Sequence, residues 1–256
     1  MKWLHPVSKS FSRAGWEAVF ADSASQGPCE CDFAIVWNGL TSTARMQRSM
    51  LEESGIPHCI VEVGFFSQMN HVLFSMRGSA GRYLFMEEDI PQASKSEITE
   101  LKDFAKHYTR GVEFPYRGHV AGMLQKDNDT AIREEPRFNS MKKFVAEVEK
   151  LHTSDEVVFK VHPGCKRPGV KTSRSLYRGA SMWPHVLPAK LVTAVNSTSL
   201  YEAALAGKEV LAIGECPLSR EPSRHIDIVN EIYRRQVPLS GDGFAERIRR
   251  SVGLVL

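Results

Sequence analysis

The sequence predicts an α/β protein of two halves of similar size, each built on a small parallel sheet. Three observations predict it. The 256 residues are 42% hydrophobic and 25% charged, an ordinary globular composition whose length suits one large domain or two of roughly 100 to 150 residues. Short continuous apolar runs alternate with stretches whose apolar residues recur at helical spacing, the order expected of buried parallel strands covered by helices. The alternation occurs before residue 135 and again after it, with a polar stretch, Gln125 to Arg137, between.

In chain order, Trp16 to Ala21 and Asp32 to Trp37 read as short buried strands, and Asn38-Gly39 as a turn. A helix follows over about residues 42–54, where Ala44 and Leu51, and Met46 and Met50, share a face. Pro57 to Val63 is the next strand, with Glu62 near its end before Gly64. Ser94-Lys-Ser-Glu97 is a capping box that opens a helix carrying Ile98, Leu101, Phe104, Ala105 and Tyr108. A short strand near Gly118 to Leu124 leads into the polar stretch, after which Met141, Phe144, Val145, Val148 and Leu151 form the apolar stripe of a third helix. Glu156 to Val161 is a strand stopped at His162-Pro163, and residues 164–188 are rich in Gly, Pro, Lys and Arg with little periodicity. Leu191 to Val195, Ser199 to Ala206 and Glu209 to Ile213 close the pattern as strand, helix and strand.

Several classes are excluded. The longest apolar runs, Phe33 to Trp37 and Val210 to Ile213, fall far short of the roughly 18 to 20 residues of a membrane-spanning helix. No transmembrane segment is expected. The first residues lack the apolar core and small-residue cleavage site of a signal peptide, so a cytoplasmic location is expected. Cys29, Cys31, Cys59, Cys165 and Cys216 form no C-x-x-C pair, which points to reduced thiols and no metal site. There is no Walker A sequence, no GxGxxG and no G-x-S-x-G elbow. Residues 1–135 carry a net charge of −4 and residues 136–256 a net of +7, which makes the second half the better seat for an anion.

Four segments carry chemistry. In the first, the strand ending at Val195 runs through Asn196-Ser197-Thr198 directly into a helix, gathering backbone N–H groups and small polar side chains where the helix dipole favours a phosphate or carboxylate. Ser199-Leu-Tyr-Glu202 also reads as a capping box, so Glu202 is either a cap or a ligand carboxylate. In the second, Lys160-Val161-His162-Pro163, the histidine is held extended by the proline at the carboxyl end of a strand, the edge where open α/β sheets bind ligands. It is either a ligand group or a core histidine. Lys160, Lys166 and Arg167 add positive charge nearby. The third is Gln125-Lys-Asp-Asn-Asp129, a solvated turn on its own reading. The fourth is Glu62, a carboxylate suited to acid or base work or to a helix cap.

Taken in order, Trp37-Asn-Gly39, Glu62-Val-Gly-Phe65, Gln125 to Asp129, His162-Pro163 and Ser197 to Val210 resemble the motifs of the capsule-type Kdo transferases. The resemblance spans roughly residues 32–219 and departs at Val63, where that family has a second carboxylate, and at Val161. It implies two Rossmann-like lobes facing a central cleft, a compact GT-B-like fold. Residues 1–135 would be the acceptor-side lobe with the catalytic carboxylates, and residues 136–256 the lobe binding a nucleotide-sugar donor. It implies Asp129 acting at the anomeric carbon, with Gln125 in the same motif and Glu62 as an acceptor-side acid or base. His162, Pro163 and Lys160, with Asn196, Ser197, Thr198, Ser199 and Glu202, would hold the donor, with no metal and no other cofactor.

The expected activity is transfer of a sugar, Kdo-type or related, from a nucleotide-activated donor to an acceptor hydroxyl. Two alternatives stand beside it. One replaces the glycan acceptor by duplex DNA carrying hydroxymethylated bases, on the strength of the basic second half with Arg234-Arg235 and Arg247-Ile-Arg249-Arg250. The other is a non-catalytic protein that binds a nucleotide or glycan, suggested by the carboxylate missing at Val63.

Overall fold

A computed structural model describes residues 30–37, 41–66, 70–75, 90–106, 118–165 and 169–238, with a few isolated positions before residue 20. Asn38-Gly39, Tyr108, Cys29, Lys166 and Arg167 lie outside the described residues, as does the expected strand at Trp16 to Ala21 apart from Glu17 and Val19. The chain divides into two compact units, one of residues 1–84 with 232–256, the other of residues 85–231.

The first unit carries a mixed sheet in the order β1-β2-β3-β9, from Ala34–Trp37 (β1), His58–Val63 (β2), His71–Ser75 (β3) and Val237–Pro238 (β9). β1 and β2 are parallel and joined through helix α1, Ser42–Glu53, whose N-terminus is capped by the Thr41 side chain. An all-parallel sheet was expected here, but β3 runs antiparallel to β2 and β9 antiparallel to β3. The physical reason is loop length. Only residues 64–70 separate β2 from β3, whereas a parallel crossover needs a dozen or more. The turn opens with Gly64 N–H donating to His71 O at 2.8 Å.

The second unit carries a fully parallel sheet in the order β6-β5-β4-β7-β8: Ser175–Tyr177 (β6), Val157–Lys160 (β5), Val120–Met123 (β4), Leu191–Ala194 (β7) and Val210–Ala212 (β8). Its helices are α2 (Lys95–Lys106), α3 (Thr130–Arg133), α4 (Met141–Leu151), α5 (Trp183–Val186), α6 (Thr198–Leu205) and α7 (Pro217–Arg220). The last helix, α8, spans His225–Arg235, across the division between the units. A cut at residues 135 and 136, expected from the polar stretch, would separate β4 from both of its neighbours in this sheet.

All residues of β4 and β5 are buried, as continuous apolar strands covered on both faces should be. α4 lays Met141, Phe144, Val145 and Val148 into a core with Phe159, Val120, Ile132 and Val195. Phe144 meets Phe159 edge-on at 6.2 Å, an arrangement aromatic pairs favour. Phe159 also needs Gly122 opposite it, since a Cβ there would stand 2.4 Å from its ring. Leu151 is 51% exposed, so the stripe expected to include it ends at Val148. The capping box at Ser94 forms as predicted: Ser94 N–H donates to Glu97 Oε2 at 2.8 Å and Glu97 N–H to Ser94 Oγ at 3.3 Å.

Candidate functional site

The parallel sheet has a switch point. From β4 the chain proceeds to β5 on one side, and from β7 to β8 on the other, so the crevice outside the carboxyl ends of β4 and β7 is where such sheets bind ligands. Gln125 leaves β4 there, His162 leaves β5 and Asn196-Ser197 leaves β7.

At the β4 exit, Asp129 N–H donates to Lys126 O at 2.9 Å, closing a turn, and Asp129 Oδ1 caps α3 by accepting from Ala131 N–H at 3.0 Å. The second carboxylate oxygen of Asp129 makes no hydrogen bond among the described residues. Asp127 accepts from Met141 N–H at 2.6 Å and so serves the start of α4. The Gln125 side chain reaches across to β7, donating through Nε2 to Asn196 Oδ1 at 3.1 Å and accepting from Asn196 N–H at 3.3 Å.

At the β5 exit, His162 Nδ1 accepts from Gly164 N–H at 3.0 Å. A backbone N–H can only donate, so the neutral ring carries its proton on Nε2. Desolvation holds the His162 pKa below the ordinary histidine value; Lys126 and Lys160 push it the same way and Asp129 opposes them. Glycine at 164 leaves room for Lys126, whose ammonium would stand 2.7 Å from a Cβ there. Lys160 faces elsewhere: it is 3% exposed, donates to Val161 O at 3.1 Å and Gly179 O at 2.6 Å, and lies over the Tyr177 ring. Pro163 is exposed beside His162, past the end of β5 at Lys160.

At the β7 exit the helix begins earlier than the sequence suggests. Ser197 is the N-cap of α6 and accepts from Ser199 N–H, with Ser199 Oγ donating to Ser197 Oγ at 2.8 Å. The capping box expected at Ser199 and Glu202 is therefore absent, and Glu202 lies inside the helix. Burial pushes the Glu202 carboxyl up to about 7, and it makes no hydrogen bond or ion pair among the described residues.

A cavity of about 430 Å3 opens between the β4 and β5 exits, lined by Gln125, Lys126, Asp127, Met141, His162 and Cys165. The structure thus brings Gln125, Asn196, Asp129 and His162 into one region of the second unit. Ser197, Thr198, Ser199 and Glu202 stand along the start of α6 and do not line this cavity. Glu62 belongs to the first unit, half-buried on β2 in register with Leu73. The sequence reading missed Lys126 and the buried Glu135. Glu135 accepts from Glu215 N–H at 2.9 Å and from Arg137 N–H at 3.3 Å; nothing in a polar stretch marks such a residue in advance.

Among the described residues no group of three or more His, Cys, Asp or Glu could hold a metal ion, and no helix is long and apolar enough to cross a membrane. Of the basic residues that suggested a nucleic-acid acceptor, Arg247, Arg249 and Arg250 lie outside the described residues. Arg234 and Arg235 close α8, where cations complement the carbonyl end of a helix.

No protein-family model matches the chain, and no curated protein does. Solved structures do. The chain is similar to the β-Kdo 2,4 transferase of KpsC from Thermosulfurimonas dismutans, with TM-score 0.59 and 17% identity over 88% of this chain and 92% of that one. It is also similar to the β-Kdo 2,7 transferase of the same protein, with TM-score 0.50 and 15% identity over 72% of this chain, spanning 65% of the other's length. At these identities the likeness is one of fold, and the α/β fold implied by the motif resemblance is the fold found.

Proposed function

We propose that the chain is a glycosyltransferase that moves a sugar, Kdo-type or related, from a nucleotide-activated donor to an acceptor hydroxyl. The observation that carries this reading is the convergence of three separated motifs, Gln125 to Asp129, His162-Pro163 and Asn196 to Ser199, at the carboxyl edge of one parallel sheet. The fold shared with two Kdo transferases supports it.

In this reading the acceptor hydroxyl oxygen bonds to the anomeric carbon and gives its proton to a carboxylate base, while the bond from that carbon to the nucleotide phosphate breaks, the electron pair leaving with the phosphate. His162 offers its Nε2–H to a phosphate oxygen, and Lys126 offsets the charge that collects there. The backbone and hydroxyls at Ser197, Thr198 and Ser199 receive another anionic or hydroxyl part of the donor, with Glu202 beside them. Asp129 acts at the anomeric centre with its uncommitted oxygen. Lys160 supports the crest from within.

A binding and turnover screen with CMP-, UDP- and GDP-sugars tests the reading. One donor should bind and release its nucleotide in an acceptor-dependent way, and His162→Ala should weaken that binding by about ten- to a hundredfold, the loss of one charge-assisted hydrogen bond. Failure to bind any of the three classes removes the proposal.

A further inference from the structure

Asn196 stands just past β7, 3% exposed, with both ends of its side-chain amide hydrogen-bonded. Oδ1 accepts from Gln125 Nε2 at 3.1 Å, Nδ2 donates to Ala131 O at 3.2 Å, and its backbone N–H donates to Gln125 Oε1 at 3.3 Å. The polarity of this set is closed. A backbone carbonyl only accepts, so Nδ2 must face Ala131, which leaves Oδ1 for Gln125 and obliges Gln125 to present its own NH2 there.

The two partners bracket a single turn. Gln125 leads into it and Ala131 follows it, while between them Asp129 is held locally by its N–H bond to Lys126 O and by its own cap on Ala131 N–H. We propose that Asn196 is a positioning residue and not a ligand group: it fixes the Asp129 turn to β7, and so to the Ser197 cap of α6, across the switch point of the sheet. One buried amide thereby sets where Asp129 stands relative to whatever α6 holds. This rests on the reading of Asp129 as a reacting carboxylate.

The test uses the whole chain and two variants. Asn196→Asp places an acceptor against Ala131 O. Gln125→Glu, at a half-buried position, places a carboxylate against Asn196 Oδ1 and leaves β7 unchanged, so it decides the matter should the first variant fail to fold. Hydrogen exchange is followed at the Ala131 and Arg133 amides and, as an internal control, along α4. Exchange at the turn should rise by about tenfold or more while α4 stays protected. With the donor found in the screen above, kcat should fall by about 100-fold while donor affinity stays within about threefold.

Unchanged exchange at the turn in folded variants would overturn the proposal. So would a loss of donor affinity of about tenfold or more with kcat retained, which would make Asn196 a binding residue. Absence of turnover in the unaltered protein would remove the transferase reading, yet the exchange result would still decide whether Asn196 holds the turn.

Discussion

His119, just before β4, and His185 meet within the second unit, Nε2 to Nδ1 at 3.3 Å, with Tyr177 stacked on His185 at 5.4 Å. Two neutral rings can share that contact as donor and acceptor, whereas two imidazolium rings would set donor against donor. Burial drives His185 down to about 3, with the charges of His119 and Lys160 acting the same way; His119 is lowered chiefly by burial, opposed by Glu156 and assisted by Lys208. Because both folded values lie below the unfolded one, the stability these groups contribute is whole above pH 6.5 and is lost as pH falls below it, for His185 down to about 3. The loss can reach about 1.4 kcal/mol per pH unit per group. Urea unfolding between pH 7 and 4 should show this decline, and His185→Gln should flatten it; an unaltered slope in the variant would refute the assignment. The same scale explains what was and was not legible at the site. That the segments of Gln125, Asp129, His162 and Ser197 lie near strand ends was readable, because each segment begins where an apolar run stops. That Asp127 accepts from the first amide of α4 and Asp129 caps α3 was not, since a short polar turn looks solvated until the helices it serves are known.

Helices α1, α2 and α4 were read from their apolar stripes, as were the short strands on continuous apolar runs, whereas α8, β3, β6 and the single-turn helices α3, α5 and α7 were not. α4 shows why the first is so: its four buried apolar residues repeat at helical spacing, and the stripe itself specifies the element. Phe144→Ala should cost about 3–5 kcal/mol, because the Phe159 edge contact and the surrounding core cannot close over the void; a urea midpoint shift equivalent to less than about 1 kcal/mol would show that this core is loosely packed. β6, α3 and α5 have no comparable signal. β6 lies at the sheet edge with Ser175 and Leu176 exposed, and it is a strand only because β5 offers it a parallel partner. α3 is one turn of helix held by the Asp129 cap and by Asn196 on Ala131 O. β3 was missed for another reason: its antiparallel pairing is set by the length of the connection before it, which hydrophobic periodicity does not report.

At the scale of the whole chain, the α/β class and the run of strand, helix and strand after residue 118 were legible, while the division into units was not. The polar stretch that looked like a boundary is the crest of one sheet, and the second unit, residues 85–231, contains Gln125, Asp129, His162 and Ser197 together. The central claim is that this crest receives a nucleotide-activated sugar. Backbone amide chemical shifts followed by NMR during titration with CMP-, UDP- and GDP-sugars test it most directly. The account predicts that one donor shifts the amides of Gln125 to Asp129, His162 to Cys165 and Ser197 to Ser199 together, leaving the opposite end of the sheet around Asp155 and Lys190 unmoved. Shifts confined to that opposite end, or none at saturating donor, would contradict it.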